Sequence, residues 1–158
     1  MQEAPLRFSD VGPGLKLQDD RLSVSKTDHG YAFTLAAPAL HSGSASASFR
    51  LGYTPNDEWG VAIGVFPANM ELDSYIYSTA GKRCALLVHG GSSRVACDGA
   101  ESDHASGLGW KEGDSVHVNV AFEGETARVT LRAKEKTWRR VLRDVPACGL
   151  CIGVGLYD

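Results

Sequence analysis

From Val116 to Phe122 every second residue is apolar: Val116, Val118, Val120 and Phe122, with His117 and Asn119 between them. Successive side chains of an extended strand point to opposite faces, so this run predicts a strand with one face in a core and one in water. Glu123-Gly124-Glu125 reads as a tight turn into Ala127, Val129 and Leu131, with Arg128, Thr130 and Arg132 on the wet side. Together the two runs predict a hairpin. The C-terminal run repeats the period, with Cys148, Leu150, Ile152, Val154 and Leu156 on one side and Gly149, Cys151, Gly153 and Gly155 on the other. Residues this small on a strand face predict that another layer of backbone or side chains packs closely against it.

Further strands are predicted at Leu22–Ser25, Tyr31–Leu35, Ala45–Leu51, Trp59–Phe66, Ser74–Tyr77, Arg83–His89 and Arg94–Cys97. Turn signals separate them, such as Asp28-His29-Gly30, Thr54-Pro55-Asn56-Asp57 and His89-Gly90-Gly91-Ser92. Trp59, beside a glycine at the start of an apolar strand, reads as core. Asp98 to Gly109 is polar and reads as a long loop. Helical spacing is nearly absent. The pattern is that of an all-β protein, an antiparallel sandwich or barrel of many short strands.

The chain has 158 residues, which suits a single domain over 1–158 with a sizeable core. Eighteen glycines against two methionines agree with many tight turns, and 43% hydrophobic residues exclude a disordered chain. No apolar window reaches membrane-spanning length, so no membrane partner is expected. Met1 to Asp10 lacks the apolar run of a secretory leader, and no Asn-x-Ser/Thr acceptor occurs, so the expectation is an intracellular, cytoplasmic setting.

The net charge of −3 argues against whole-surface attraction to nucleic acid. The charge is unevenly placed, however. Between Thr126 and Asp144, Arg128, Arg132, Lys134, Lys136, Arg139, Arg140 and Arg143 face only Glu135 and Asp144, so the rest of the chain is strongly acidic.

Candidate chemistry is thin. Cys148-x-x-Cys151 has the spacing of a zinc or thiol-exchange pair, but no second close pair accompanies it, and strand geometry would send the two sulfurs to opposite faces. Both read as small core fillers. Glu71-Leu72-Asp73 resembles half of a glycosidase carboxylate strand, but Tyr75 and Ile76 stand where the third carboxylate would be needed. The five histidines show no metal-ligand spacing, and Gly90-Gly91-Ser92-Ser93 lacks a phosphate-cradle lysine. No catalytic residue, metal, cofactor or small-molecule substrate is expected.

Trp59-Gly60-Val61-Ala62-Ile63-Gly64-Val65 resembles the strand before which SPRY domains gather their first long loops. Ser74 to Lys82 is similar to the aromatic, turn, Gly-Lys stretch of the SPRY subgroup found in Ran-binding and SOCS-box adaptors. Trp110-Lys111-Glu112-Gly113-Asp114-Ser115-Val116 resembles the family's aromatic, Gly-Asp signature opening a core strand, and Val145-Pro146-Ala147 its proline-alanine step into the last strands. Gly14 to Leu17 and Leu22 to Val24 fit the first two strands. In physical terms Gly113 supplies a positive φ at the turn.

The resemblance implies a concanavalin A-like sandwich of two curved sheets. It further implies a non-catalytic protein-interaction module, part of a larger adaptor or complex, that recognises a peptide or protein surface through loops at one end. Aromatics and arginine dominate interface energetics, so Tyr77, Arg83, Trp110 and Trp138 are the candidate binding residues, with core or rim packing as the competing role of each. Two alternatives are weaker. The basic 128–143 hairpin with Trp138 could contact an acidic partner or RNA, or reach nucleic acid through a larger complex. A carbohydrate-binding sandwich would ordinarily show a metal-bound Asp/Asn cluster, and none is evident.

Overall fold

The computed structural model describes residues 6–12, 15–18, 22–26, 31–50, 52, 60–69, 85–89, 94–97, 100–104, 113–133, 136–143 and 145–157. Among them the strands are, in chain order, β1 (Arg7–Val11), β2 (Leu15–Leu17), β3 (Val24–Lys26), β4 (Tyr31–Ala37), β5 (Ser44–Arg50), β6 (Gly60–Pro67), β7 (Ala85–His89), β8 (Arg94–Cys97), β9 (Ala100–His104), β10 (Ser115–Glu123), β11 (Thr126–Ala133), β12 (Lys136–Leu142) and β13 (Leu150–Tyr157). No helix occurs among the described residues. The strands form a seven-stranded sheet ordered β1-β4-β13-β6-β7-β8-β9, a four-stranded sheet ordered β12-β11-β10-β5, and the small β2-β3 pair. All the strand pairings are antiparallel.

The predicted alternation makes the core. Val116, Val118 and Val120 of β10 and Ala127, Val129 and Leu131 of β11 are buried in one cluster with Val61, Ile63 and Val65 of β6 and Leu150, Ile152 and Val154 of β13. Each buried aliphatic side chain contributes about 1.5–3 kcal/mol by leaving water. Gly124 and Glu125 form the predicted turn, with Glu123 opposite Thr126, and Gly124 takes the positive φ (64°) that a two-residue hairpin needs. Gly113 also has positive φ, at 92°.

The small face of β13 is covered, as expected. Gly155 lies opposite Phe33 and Gly153 opposite Leu35 on β4, while Cys151 lies opposite Phe66 on β6. Phe33, Leu35, Phe66 and Cys151 are all buried on this face, and the Phe33 and Phe66 rings meet edge to face at 5.3 Å. The sandwich thus has apolar packing on both faces of its central strands.

Four expectations change. Ala100–His104, inside the predicted loop Asp98–Gly109, is strand β9 at the sheet edge, paired with β8. Its Ala-Glu-Ser-Asp-His sequence has weak strand preference, and backbone pairing to a preformed neighbour makes it a strand. The alternation did not announce the edge strands β1 and β12 either, although Lys136–Leu142 lies within the basic 128–143 hairpin. Finally, β13 begins at Leu150, not Cys148, because Pro146 to Gly149 is a turn closed by the Gly149 N–H on the Pro146 carbonyl at 2.9 Å. The predicted strand Ser74–Tyr77 and the core reading of Trp59 lie outside the described residues, as does Glu71-Leu72-Asp73.

The outer face of the four-stranded sheet is polar. It presents Ser44, Ser46 and Ser48 of β5, His117 and Asn119 of β10, then Arg128, Thr130 and Arg132 of β11, and Thr137, Arg139 and Val141 of β12. Ser48 Oγ is 2.5 Å from His117 Nδ1, and Asn119 Nδ2 donates to Ser46 Oγ at 2.6 Å.

Candidate functional site

Three segments distant in sequence meet at one end of the sandwich: the 38–43 connection between β4 and β5, the β10–β11 turn, and the 143–149 connection between β12 and β13. Backbone bonds clamp them. The Leu40 N–H donates to the Leu150 carbonyl at 2.7 Å and the Leu150 N–H returns to Leu40 at 2.9 Å. The Phe122 N–H donates to Gly43 at 2.8 Å, and the Ala68 N–H, just past β6, donates to Gly149 at 3.0 Å. Paired backbone groups of this kind hold irregular chain in place where it would otherwise need water.

Gly149 makes the approach possible. Its φ is 85°, and a Cβ there would lie 2.7 Å from the Leu40 carbonyl oxygen and 2.9 Å from His41 Cε1. Only a residue without a side chain lets the two connections touch.

Between them lies an open cleft of about 500 Å³. Phe122, Val145, Pro146 and Ala147 supply its apolar wall, and His41, Glu125 and Arg143 its polar rim. Phe122, Val145 and Pro146 are half-buried, whereas His41, Glu125 and Arg143 are exposed. Among the described residues neither Glu125 nor Arg143 has an ion-pair partner. The rim therefore offers one anionic and one cationic group beside an apolar surface.

Of the binding residues expected from sequence, Tyr77, Arg83 and Trp110 lie outside the described residues. Trp138 stands opposite Leu131, half-buried and packed against the core from the edge strand β12. It does not line the cleft.

In the sequence Phe122 read as the last inward position of an alternating strand and Arg143 as the end of a basic stretch, neither as part of a cleft. Glu123-Gly124-Glu125 marked a turn and Val145-Pro146-Ala147 a step into the last strands. Nothing local to His41 set it apart from a loop histidine.

Cys148 and Cys151 are free thiols. Burial pushes the Cys151 thiol up to about 11, and Cys148 adds to the effect. The turn at Gly149 breaks the strand geometry that would have sent the two sulfurs to opposite faces. A thiol held protonated in this way is a poor nucleophile and a poor metal ligand.

Comparison with solved structures matches the SPRY domain of human HERC1, with a TM-score of 0.65 and 17% identity, covering 85% of this chain and 80% of that one. The fold is SPRY-like. In this SPRY-like sandwich the sequence motifs fall at structural joints: Gly113 at the entry to β10, and Pro146-Ala147 in the turn leading into β13. They mark architecture, as their chemistry suggested. Scans of family models and of curated protein sequences return no match.

Proposed function

We propose that this chain is a non-catalytic protein-interaction module that takes an exposed peptide or protein segment into the end cleft. The observation that carries this reading is the clamped junction of three loops, which places an apolar wall of Phe122, Val145 and Pro146 beside the exposed charges of Glu125 and Arg143. A rigid, partly apolar surface with charged groups at its rim is how folded domains bind polypeptide with little ordering cost. The SPRY-like fold supports the reading, since the resemblance implies recognition through loops at one end.

Selection of displayed peptides against the purified chain tests it. Peptides selected on the wild type should lose at least about tenfold in affinity on V145D and on R143E, a change of about 1.4 kcal/mol or more. Selected peptides that bind both variants as well as the wild type would place recognition elsewhere on the molecule.

A further inference from the structure

The outer face of the four-stranded sheet carries a second surface, independent of the cleft. Arg128 and Arg132 on β11 and Arg139 on β12 all point outward and are exposed. The register sets Thr130 opposite Arg139, Val141 opposite Arg128 and Thr137 opposite Arg132. Arg139 is therefore the diagonal neighbour of both β11 arginines, about 7 Å from each across the sheet.

Arg128 already holds a carboxylate from its own chain, Glu123 at 3.3 Å. Among the described residues Arg132 and Arg139 have no ion-pair partner. On the other half of the face, the Ser48–His117 and Ser46–Asn119 pairs bond to each other. Arg132 and Arg139 thus stand as neighbouring cations on the β11–β12 side, while the further cation of this face, Arg50, lies at the opposite edge on β5.

We propose that this face binds an extended acidic segment of a partner protein, whose carboxylates on alternate residues engage Arg132 and Arg139. Side chains two residues apart on a strand lie about 7 Å apart, which matches the diagonal arginine spacing. Each guanidinium can take a carboxylate in a forked pair. Val141, 46% exposed beside Arg128, offers the segment an apolar contact.

A protein partner fits this face better than a nucleic acid. Single strands bind by stacking bases on exposed aromatics, and no outward position of the described sheet carries a Phe, Tyr or Trp, while the His117 ring is bonded to Ser48. Phe49, Phe122 and Trp138 all pack toward the core.

The test uses a labelled peptide of alternating Glu and Thr, with an alternating Lys-Thr peptide and single-stranded oligothymidylate as comparisons. The Glu-Thr peptide should bind best, and weaken as salt shortens the screening length from about 30 Å to about 3 Å. Both R132E/R139E and the milder R132Q/R139Q should lose at least about tenfold with unfolding midpoints near the wild type. R50E, which removes a cation at the far edge strand, should bind within about twofold of wild type; one decade corresponds to 1.4 kcal/mol. No binding by the wild type, equal binding by R132Q/R139Q, or tighter binding of oligothymidylate would overturn the proposal. So would sedimentation showing that the face joins two copies of this chain.

Discussion

The ring of Phe33 rests directly on the backbone of Gly155: a Cβ at Gly155 would come within 2.5 Å of Phe33 Cε1 and 2.8 Å of Cδ1. The two residues are register partners on β4 and β13, and neither could approach so closely if Gly155 had a side chain. This contact lets an aromatic layer cover the seven-stranded sheet on the side away from the main core.

Gly155→Ala should therefore destabilise the protein by about 2–3 kcal/mol through overpacking, lowering the unfolding midpoint by about 4–12 °C. Urea titration measures it. Shrinking the ring in the double variant G155A/F33L should recover part of the loss, because the two sites share one contact. Strict additivity of the two single changes would show that the contact is not the cause.

Gly124 and Gly149 separate conformational strain from steric contact. Gly124 has positive φ with open space around it, so Gly124→Ala should cost about 1–2 kcal/mol. At Gly149 the same strain is joined by the collision with the Leu40 carbonyl. Gly149→Ala should cost about 2–4 kcal/mol, and should also weaken peptides selected on the cleft. Denaturant midpoints rank the two; a smaller cost at Gly149 would contradict the clamp.

Cys151 is only 5% exposed, and its thiol is pushed up to about 11. In the native protein, peptide mapping after alkylation at mildly alkaline pH should find Cys148 modified well before Cys151. The folded state holds the Cys151 proton to higher pH than the unfolded chain does. Its contribution is thus fully present below an ordinary thiol pKa near 8.5 and is lost as pH rises toward about 11. Stability should fall across that window, and the fall should be shallower in C151A.

Trp138 faces inward from an edge strand, so Trp138→Ala should act first on stability, by about 2–3 kcal/mol. Val141→Thr, on the outer face of the same strand, should stay within about 0.5 kcal/mol of wild type. Thermal unfolding compares them. If Trp138→Ala leaves the midpoint unchanged while abolishing binding, the tryptophan's weight lies in recognition instead.

Residue order alone determined the class of this protein and the faces of its central strands. Val116 to Phe122, Ala127 to Leu131 and Leu150 to Leu156 have inward positions because the pleat alternates side chains locally, whatever the strand's neighbours turn out to be. The same period exposed Gly153 and Gly155 as a face that something must cover, and turn chemistry placed Gly113 and Gly124.

Tertiary structure alone decided who those neighbours are. That β13 inserts between β4 and β6 follows from backbone groups finding partners across long stretches of chain, and that Ala100–His104 becomes a strand at all follows from its pairing with β8. Side-chain pattern does not record such pairings. The end cleft is of the same kind: His41, Phe122, Glu125 and Arg143 belong to segments brought together by the Leu40–Leu150 and Phe122–Gly43 bonds. Alternation is a property of a few successive residues, whereas a binding surface is a property of the packing that closes the loops between them.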